Sequence, residues 1–344
     1  MKTRRDGISP LILIILVVWV VVSVYTIVFK NSAPFKEPES PKGKFEELWE
    51  LIVTNSLTEI PDTSEEQAAC FRRIMDFGLH HCLRGEDSFI FYLTAVEMAF
   101  LHRQLDGNIE YLAVEPIGDD ILYAKVNFFP HTVADDFFAK VIGYRDSFPK
   151  REALILDLRG NMGGSFVGTK AWAHLILRNP EDVVTTTIVR GGVENIIRAR
   201  DVVSDLPIGA LDYSIIVVLT GAFTASGSEV VAQLLRDERG ALLVGEPTFG
   251  KDKIQTVFPL SNGDGLVLST ERYVVGNRRV SVKGGIPPDY YVVAPPRAFP
   301  AGAVLGMGAF RMIRLSRAET VDLENDTQLQ KAVEVARHRL ESVK

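Results

Sequence analysis

Cysteine is almost absent from this 344-residue chain: Cys70 and Cys82 are the only two. They are not spaced C-x-x-C, and two cysteines alone do not complete a tetrahedral zinc site. They permit one disulfide in an oxidising compartment or two half-buried thiols in a reducing one. Histidine is scarce as well, with six residues. A G-x-G-x-x-G dinucleotide turn is missing, and so is the G-K-[ST] ending of a P-loop. There is no basic stripe that could track phosphates; 38 basic residues face 44 acidic ones, for a net charge of −6. Nucleic acid is therefore excluded as an expected partner. No metal or organic cofactor is implied, and there is no internal repeat. Apolar residues make up 47% and charged residues 24%, an ordinary globular balance with no need for disorder.

What the chain does have is one long apolar run. Residues 11–29 read LILIILVVWVVVSVYTIVF without a charge. At about 1.5 Å per residue, such a helix spans a bilayer core. Lys2, Arg4 and Arg5 precede it and Lys30 closes it. A cleaved signal peptide would have a shorter apolar region and an A-x-A-like exit; the exit here is FKNSAPF. The expectation is an uncleaved single-pass anchor over 11–29. Residues 1–10 then stay cytoplasmic, and the remainder lies on the extracytoplasmic (periplasmic or extracellular) side. Residues 30–44, rich in Pro, Ser and Lys, read as a linker.

Residues 45–106 are patterned as helices: FEELWELIV at the start, then 67–83 and 88–105. From 107 to 300 short apolar runs alternate with helical stretches. ILYAKVNFF, ALILDL, VVTTTIV, SIIVVLTG, ALLVG, IQTVFPL and GLVLSTERYVV are read as strands. Helices are expected over 132–147, after Gly164, and over about 226–236. This is an α/β pattern, predicting a mainly parallel sheet with helical cover. Residues 301–344 form a C-terminal helical segment whose last helix covers 327–343.

Three strand ends carry candidate chemistry. The strand at 214–219 runs into a small-residue loop and a helix starting near Ser226. A hydroxyl there meets free N–H groups and the positive end of the helix dipole, which stabilise an oxyanion. Ser226 and Glu229 also spell S-x-x-E, a capping box that by itself explains a serine. ALLVG leads to Gly250, Lys251, Lys253 and Gln255; alternate residues of an extended segment share a face. A lysine acts as a base only when burial draws its pKa down from about 10.4, whereas an ordinary lysine in a turn is exposed and charged. ALILDL runs into Arg159-Gly160-Asn161-Met162-Gly163-Gly164, where glycines let backbone N–H groups approach a ligand, or simply make a tight turn.

Together these segments resemble the tail-specific, or C-terminal processing, peptidase family of serine–lysine proteases. The family pattern D-L-R-x-N-P-G-G, S-A-S-E, G-E-x-T-x-G-K-x-x-x-Q reads here as Asp157 to Gly164, then Ser226-Gly227-Ser228-Glu229, then Gly245 to Lys251 with Gln255. Gly285-Ile286-Pro287-Pro288-Asp289 resembles the family's G-I-x-P-D segment. The likeness covers about 121–293 in the expected order and touches the last helix. It implies a crotonase-like (ClpP/crotonase-type) fold with Ser226 as nucleophile and Lys251 as general base. Gln255 would orient the lysine, and the N–H groups of Gly163 and Gly227 would form the oxyanion hole. Ser228 is the competing serine but falls where the family has a second, non-nucleophilic one, and Lys253 is the competing lysine. Three residues depart from the pattern: Met162 stands for proline, Gly227 for alanine, and Asp252 follows the lysine where a small residue is common. Family members often insert a PDZ domain before the catalytic sheet; only residues 106–119 are available here, too few for a domain.

The function implied is a membrane-anchored serine endopeptidase that cleaves extended protein or peptide substrates through an acyl-enzyme. The membrane lipid around 11–29 is a partner, and a homo-oligomer is compatible with the sequence. Met162 and Asp252 motivate an alternative, a catalytically silent relative used for binding or scaffolding. Another gives the base role to a histidine; of His80, His81, His102, His131, His174 and His338, only His131 and His174 lie in the catalytic half. Crotonase-type acyl-CoA enzymes share Gly-rich oxyanion turns, but no pair of catalytic carboxylates is recognisable and GKDKIQ argues against that chemistry.

Overall fold

The computed structural model describes residues 91–294 and 321–343, apart from 94, 108–109, 148–151, 262 and 264, together with 47–48, 50–52 and 54–55. The chain divides into two compact units, Met1–Leu48 and Trp49–Lys344, and the second is described below. The span expected over 11–29, the linker, the helix expected over 67–83, Cys70, Cys82, His80 and His81 lie outside the described residues. Among the described residues no helix is long and apolar enough to cross a membrane. Within FEELWELIV and just beyond it, residues 50–52, 54 and 55 are helical, and Ile52 is buried.

In chain order the elements are β1 (Phe91–Leu93), α1 (Ala95–Leu105), β2 (Leu112–Ile117), β3 (Ile121–Val126), α2 (Val133–Ser147), β4 (Ala153–Asp157) and α3 (Phe166–Ile176). They continue with β5 (Val183–Val189), β6 (Glu194–Arg198), β7 (Ile215–Thr220), α4 (Gly227–Arg239), β8 (Leu242–Gly245), β9 (Lys253–Pro259), β10 (Gly265–Val275), β11 (Tyr290–Tyr291) and α5 (Thr327–Val343). Only residues 106–111 separate α1 from β2, so no further domain is inserted there.

Six strands form one sheet in the order β11-β8-β7-β4-β3-β2. All neighbours are parallel except β2 and β3. Its central strands β4 and β7 are apolar up to their last residues, Asp157 and Thr220, because both faces are buried. Leu154 and Leu156 of β4, with Ile216 and Val218 of β7, enter the core on the face that also holds Phe137, Trp172 and Leu234 from α2, α3 and α4. The alternate residues Ala153, Ile155, Val217 and Leu219 meet Leu329, Ala332, Val333 and Ala336 of α5 on the opposite face. The period-two alternation of a strand thus sorts one apolar run into two cores.

The mainly parallel sheet expected from the sequence describes only this layer. A second sheet, β1-β10-β5-β6 with β9 on the other side of β10, is antiparallel throughout. For two of its four pairs the cause is connection length: β5 and β6, and likewise β9 and β10, are joined by short turns, and parallel pairing needs a crossover of a dozen residues or more. The helix expected over 88–105 is also shorter. Residues Phe91–Leu93 pair with Gly265, Leu266 and Val267 of β10, and the helix begins at Ala95.

Candidate active site

Because β4, β7 and β8 lie side by side and parallel, their carboxyl ends share one edge of the sheet. That edge is where loops of open α/β sheets collect ligands. The three motif-bearing segments, 158–164, 221–226 and 246–251, therefore converge although 93 positions separate Leu158 from Lys251 in the chain. The fold, rather than the spacing, makes them one site.

Ser226 caps α4 with φ 58° and ψ −121°, a region that L-residues avoid. Such backbone strain costs roughly 1–3 kcal/mol and persists only where neighbours over-determine it. Here the neighbour is Glu229. The S-x-x-E pair takes up the capping arrangement, yet the Ser226 hydroxyl makes no cap hydrogen bond. Instead the Ser226 N–H donates to Glu229 Oε2 (2.8 Å), and the Glu229 N–H donates to the Ser226 carbonyl (2.8 Å).

The Glu229 carboxylate reaches the lysine loop as well. Oε2 accepts the Lys251 N–H (2.9 Å), while Oε1 accepts the Gly250 N–H (2.7 Å) and the Thr248 hydroxyl (2.6 Å). One fully buried carboxylate thereby joins the backbones of Ser226 and Lys251. Burial pushes its carboxyl above the ordinary value, against the pull of Thr248 and the three N–H donors. Tyr273 of β10 makes a second bridge: its hydroxyl lies 2.5 Å from the Lys251 carbonyl and 3.2 Å from that of Ser226. Burial first, and the charges of Glu229 and Asp252 after it, hold this phenol well above its usual pKa, so it stays a donor. Lys251 Nζ donates to Gln255 Oε1, and Gln255 sits on β9 opposite Ser269.

Gly163 and Gly227 are brought to the serine. A Cβ on Gly163, whose φ is +96°, would lie 3.0 Å from the Ser226 Cβ and 3.1 Å from the Gly227 nitrogen. The Gly163 N–H points to Asn161 Oδ1 (2.9 Å), and Asn161 is itself anchored by its Nδ2 to the Val126 carbonyl (2.8 Å). At Gly227 a Cβ would stand 2.2 Å from Thr169 Oγ1. The family's alanine does not fit here as α3 is placed, and glycine is required for space. Ser228 is fully buried and donates to the Asn161 carbonyl (2.9 Å), a structural role for the competing serine.

The two histidines of the catalytic half have their bonds elsewhere. His131 Nδ1 lies 2.6 Å from the Ser165 hydroxyl. His174 is buried, with its ring nitrogens 3.2 and 2.8 Å from the carbonyls of Ala199 and Leu206. The G-I-P-P-D segment supports the lysine loop: the Ile286 N–H donates to Thr248 Oγ1 (2.7 Å), and Asp289 Oδ2 accepts the Leu243 N–H (2.7 Å). Tyr273, Thr248 and the bridging role of Glu229 were not legible as site features. The S-x-x-E signal was visible, but it pointed to a helix cap alone.

The sequence model of Peptidase family S41 matches residues 120–292, which is 173 of the 344 residues. The chain belongs to peptidase family S41. The match covers the three strand ends and both glycine turns. Over 149 residues the chain is 37% identical to the carboxyl-terminal-processing protease of Synechocystis sp., covering 43% of this chain and 33% of that protein. It is 38% identical over 149 residues to carboxyl-terminal-processing peptidase 2 of Arabidopsis thaliana, covering 43% and 27%. The chain thus spans about a third or less of the length of these curated relatives. Among solved structures, a lipoprotein from Streptococcus agalactiae superposes with TM-score 0.60 at 17% identity, over 76% of this chain and 95% of that one. The photosystem II D1 C-terminal processing protease gives 0.51 at 17% identity, over 74% and 94%. At that identity the two structures establish the fold alone.

Proposed function

We propose that this S41 member is a membrane-anchored serine endopeptidase with Ser226 as nucleophile and Lys251 as general base. The observation that carries the reading is the Glu229 carboxylate, whose Oε2 accepts both the N–H of the strained Ser226 and the N–H of Lys251, while Oε1 accepts that of Gly250. A buried carboxylate with four donors, two of them on a strained serine and a neighbouring lysine, is more organisation than a helix cap needs.

Neutral Lys251 Nζ takes the hydroxyl proton as Ser226 Oγ forms a bond to the scissile carbonyl carbon. The carbonyl oxygen becomes an oxyanion held by the N–H groups of Gly227 and Gly163, the latter exchanging Asn161 Oδ1 for substrate. Collapse breaks the C–N bond, the Lys251 ammonium returns its proton to the leaving amine, and a Ser226 ester remains. Water, deprotonated by Lys251, then attacks the ester; collapse breaks the bond to Ser226 Oγ, the Lys251 ammonium returns its proton to that oxygen, and the acid leaves. Gln255 accepts one Nζ proton and fixes the direction of the lysine. An extended substrate adds to a free strand edge. Among the described residues β9, which begins two residues past Lys251, has β10 as its strand partner and lies at the margin of that sheet. The anchor over 11–29 would place this domain on the extracytoplasmic side.

The Gly163 N–H, already engaged by Asn161, favours one other reading, a silent scaffold. A single experiment separates the two: full-length protein in detergent, an unfolded protein substrate and a fluorophosphonate probe. The peptidase reading expects cleavage and labelling by the parent, with losses of about 10³-fold or more in Ser226→Ala and Lys251→Ala. A folded parent that neither cleaves nor labels establishes the scaffold reading instead. Resistance of the protein to alkaline extraction from membranes, lost when 11–29 is deleted, tests the anchor.

A further inference from the structure

Arg159 follows the end of β4 and stands two residues before Asn161, yet its side chain turns away from the cleft. All five guanidinium N–H donors are engaged. Nε and Nη2 reach the Asp157 carboxylate (2.9 and 2.6 Å). Nη1 and Nη2 fork onto Asp326 (2.8 and 2.7 Å), and Nη1 also reaches Gln328 Oε1 (3.0 Å). Asp157 is buried completely and takes the Tyr123 hydroxyl as well (2.7 Å). Asp157 alone accounts for two of the five donors; the other three go to residues 167 and 169 positions away in sequence.

Those residues form the start of α5. Asp326 Oδ1 accepts the Leu329 N–H (3.0 Å), so the same carboxylate caps the helix and grips Arg159. Gln328 donates its Nε2 to the Val292 carbonyl (2.7 Å), just past β11. On the cleft side, the Asn161 carbonyl accepts the Ala225 N–H (3.0 Å) and the Ser228 hydroxyl (2.9 Å), one on each side of Ser226. A continuous run of short polar contacts therefore leads from the first turn of α5, through Arg159 and the 160–164 turn, to both flanks of the serine.

We infer that Asp326 and Gln328 are positioning residues for the oxyanion turn, so that docking of the C-terminal helix sets the reactive geometry at Ser226. The inference rests on the peptidase reading for its catalytic consequence, although the mechanical coupling stands apart from it. α5 packs its apolar face under β4 and β7, which fixes where its first turn can hold Arg159. Arg159 binds two carboxylates at once, and its bidentate forks fix direction as well as distance. The turn thereby inherits the placement of a helix on the far face of the sheet.

The test uses the full chain with Asp326→Asn, which keeps an oxygen for the Leu329 N–H and removes the charge. Gln328→Ala is the milder second variant, and Lys331→Ala, a half-buried residue on the same helix whose ammonium pairs with Glu334, is the control. Amide exchange over 160–164 and over 329–340 is read beside kcat and KM for a peptide substrate. The expected result for Asp326→Asn is exchange about ten-fold faster in the turn with α5 still protected. kcat should fall by about ten-fold or more and KM stay within about two-fold, the mark of an interaction made in the transition state. Gln328→Ala should change both in the same direction by less, and Lys331→Ala neither. Unchanged exchange at 160–164 in both variants overturns the inference. So does faster exchange everywhere, with activity tracking the folded fraction. If the turn loosens while the parent cleaves nothing, the coupling stands and the peptidase reading falls.

Discussion

Replacing Glu229 by glutamine would turn one acceptor oxygen into an NH2 group where four donors converge. The side chain keeps its volume, so no cavity forms. Each carboxylate oxygen takes two donors: Oε1 from Thr248 and Gly250, Oε2 from Ser226 and Lys251. Whichever way the amide is turned, two donors lose their acceptor and face an N–H group. Hydrogen bonds to a charged partner contribute about 1.5–3 kcal/mol each, so the pair is worth about 3–6 kcal/mol. For a domain of this size that lowers Tm by about 6–24 °C, at about 2–4 °C per kcal/mol. In one orientation Ser226 and Lys251 are released together, and the strained serine relaxes. Cleavage by the fraction still folded should then fall by about 10²-fold, the scale of a misplacement near 1 Å. Thermal melts and kcat/KM measured well below the variant's own Tm read the two effects separately. Glu229→Gln with parental Tm and parental kcat/KM would refute the view that this carboxylate holds the two loops together.

Four further outcomes follow from the same geometry. Ser226→Gly should melt a few degrees above Ser226→Ala, because glycine tolerates φ 58° while alanine bears strain of about 1–3 kcal/mol; equal melting would deny the strain. Gly227→Ala should cost about 1–3 kcal/mol through its clash with Thr169 Oγ1, and adding Thr169→Ala should recover most of the loss in denaturant titrations. Tyr273→Phe removes the hydroxyl on the Lys251 carbonyl and should lower kcat by about ten-fold at a stability cost of about 1 kcal/mol, read by kinetics and melting. Asp157 gives a pH dependence. Burial would raise its carboxyl, but the Arg159 guanidinium overrides this and holds it below the usual range. A lowered folded value means stability present above the unfolded pKa of about 3.9 and lost as pH falls through the folded one. Glu229, raised instead, slopes the other way, its stability being present below the unfolded value and lost as pH rises through the folded one. Urea midpoints below about pH 4 should therefore fall more steeply for the parent than for Asp157→Asn.

The sequence by itself determined the local pieces. VVTTTIV and GLVLSTERYVV form strands over the runs read for them, and the last helix covers 327–343 as its pattern indicates. These signals are local: runs rich in β-branched and aromatic residues fit a pleated surface, and an amphipathic helix repeats every three to four residues. The short ladders β1, β6 and β11 carried no such signal, because their pairing is decided by partners far along the chain. The motif residues Ser226, Lys251, Gln255, Gly163 and Gly227 were legible one by one, each beside a plainer explanation. Only the tertiary structure decided that their segments converge, since the parallel order of β4, β7 and β8 puts three carboxyl ends on one edge. It also decided which residues hold them there. Glu229 reads as a helix cap in sequence and spans two loops in space; Tyr273 is one aromatic in a strand, and Asp326 one acid before a helix. Their roles depend on hydrogen bonds across 22, 47 and 167 positions, distances that no periodicity encodes.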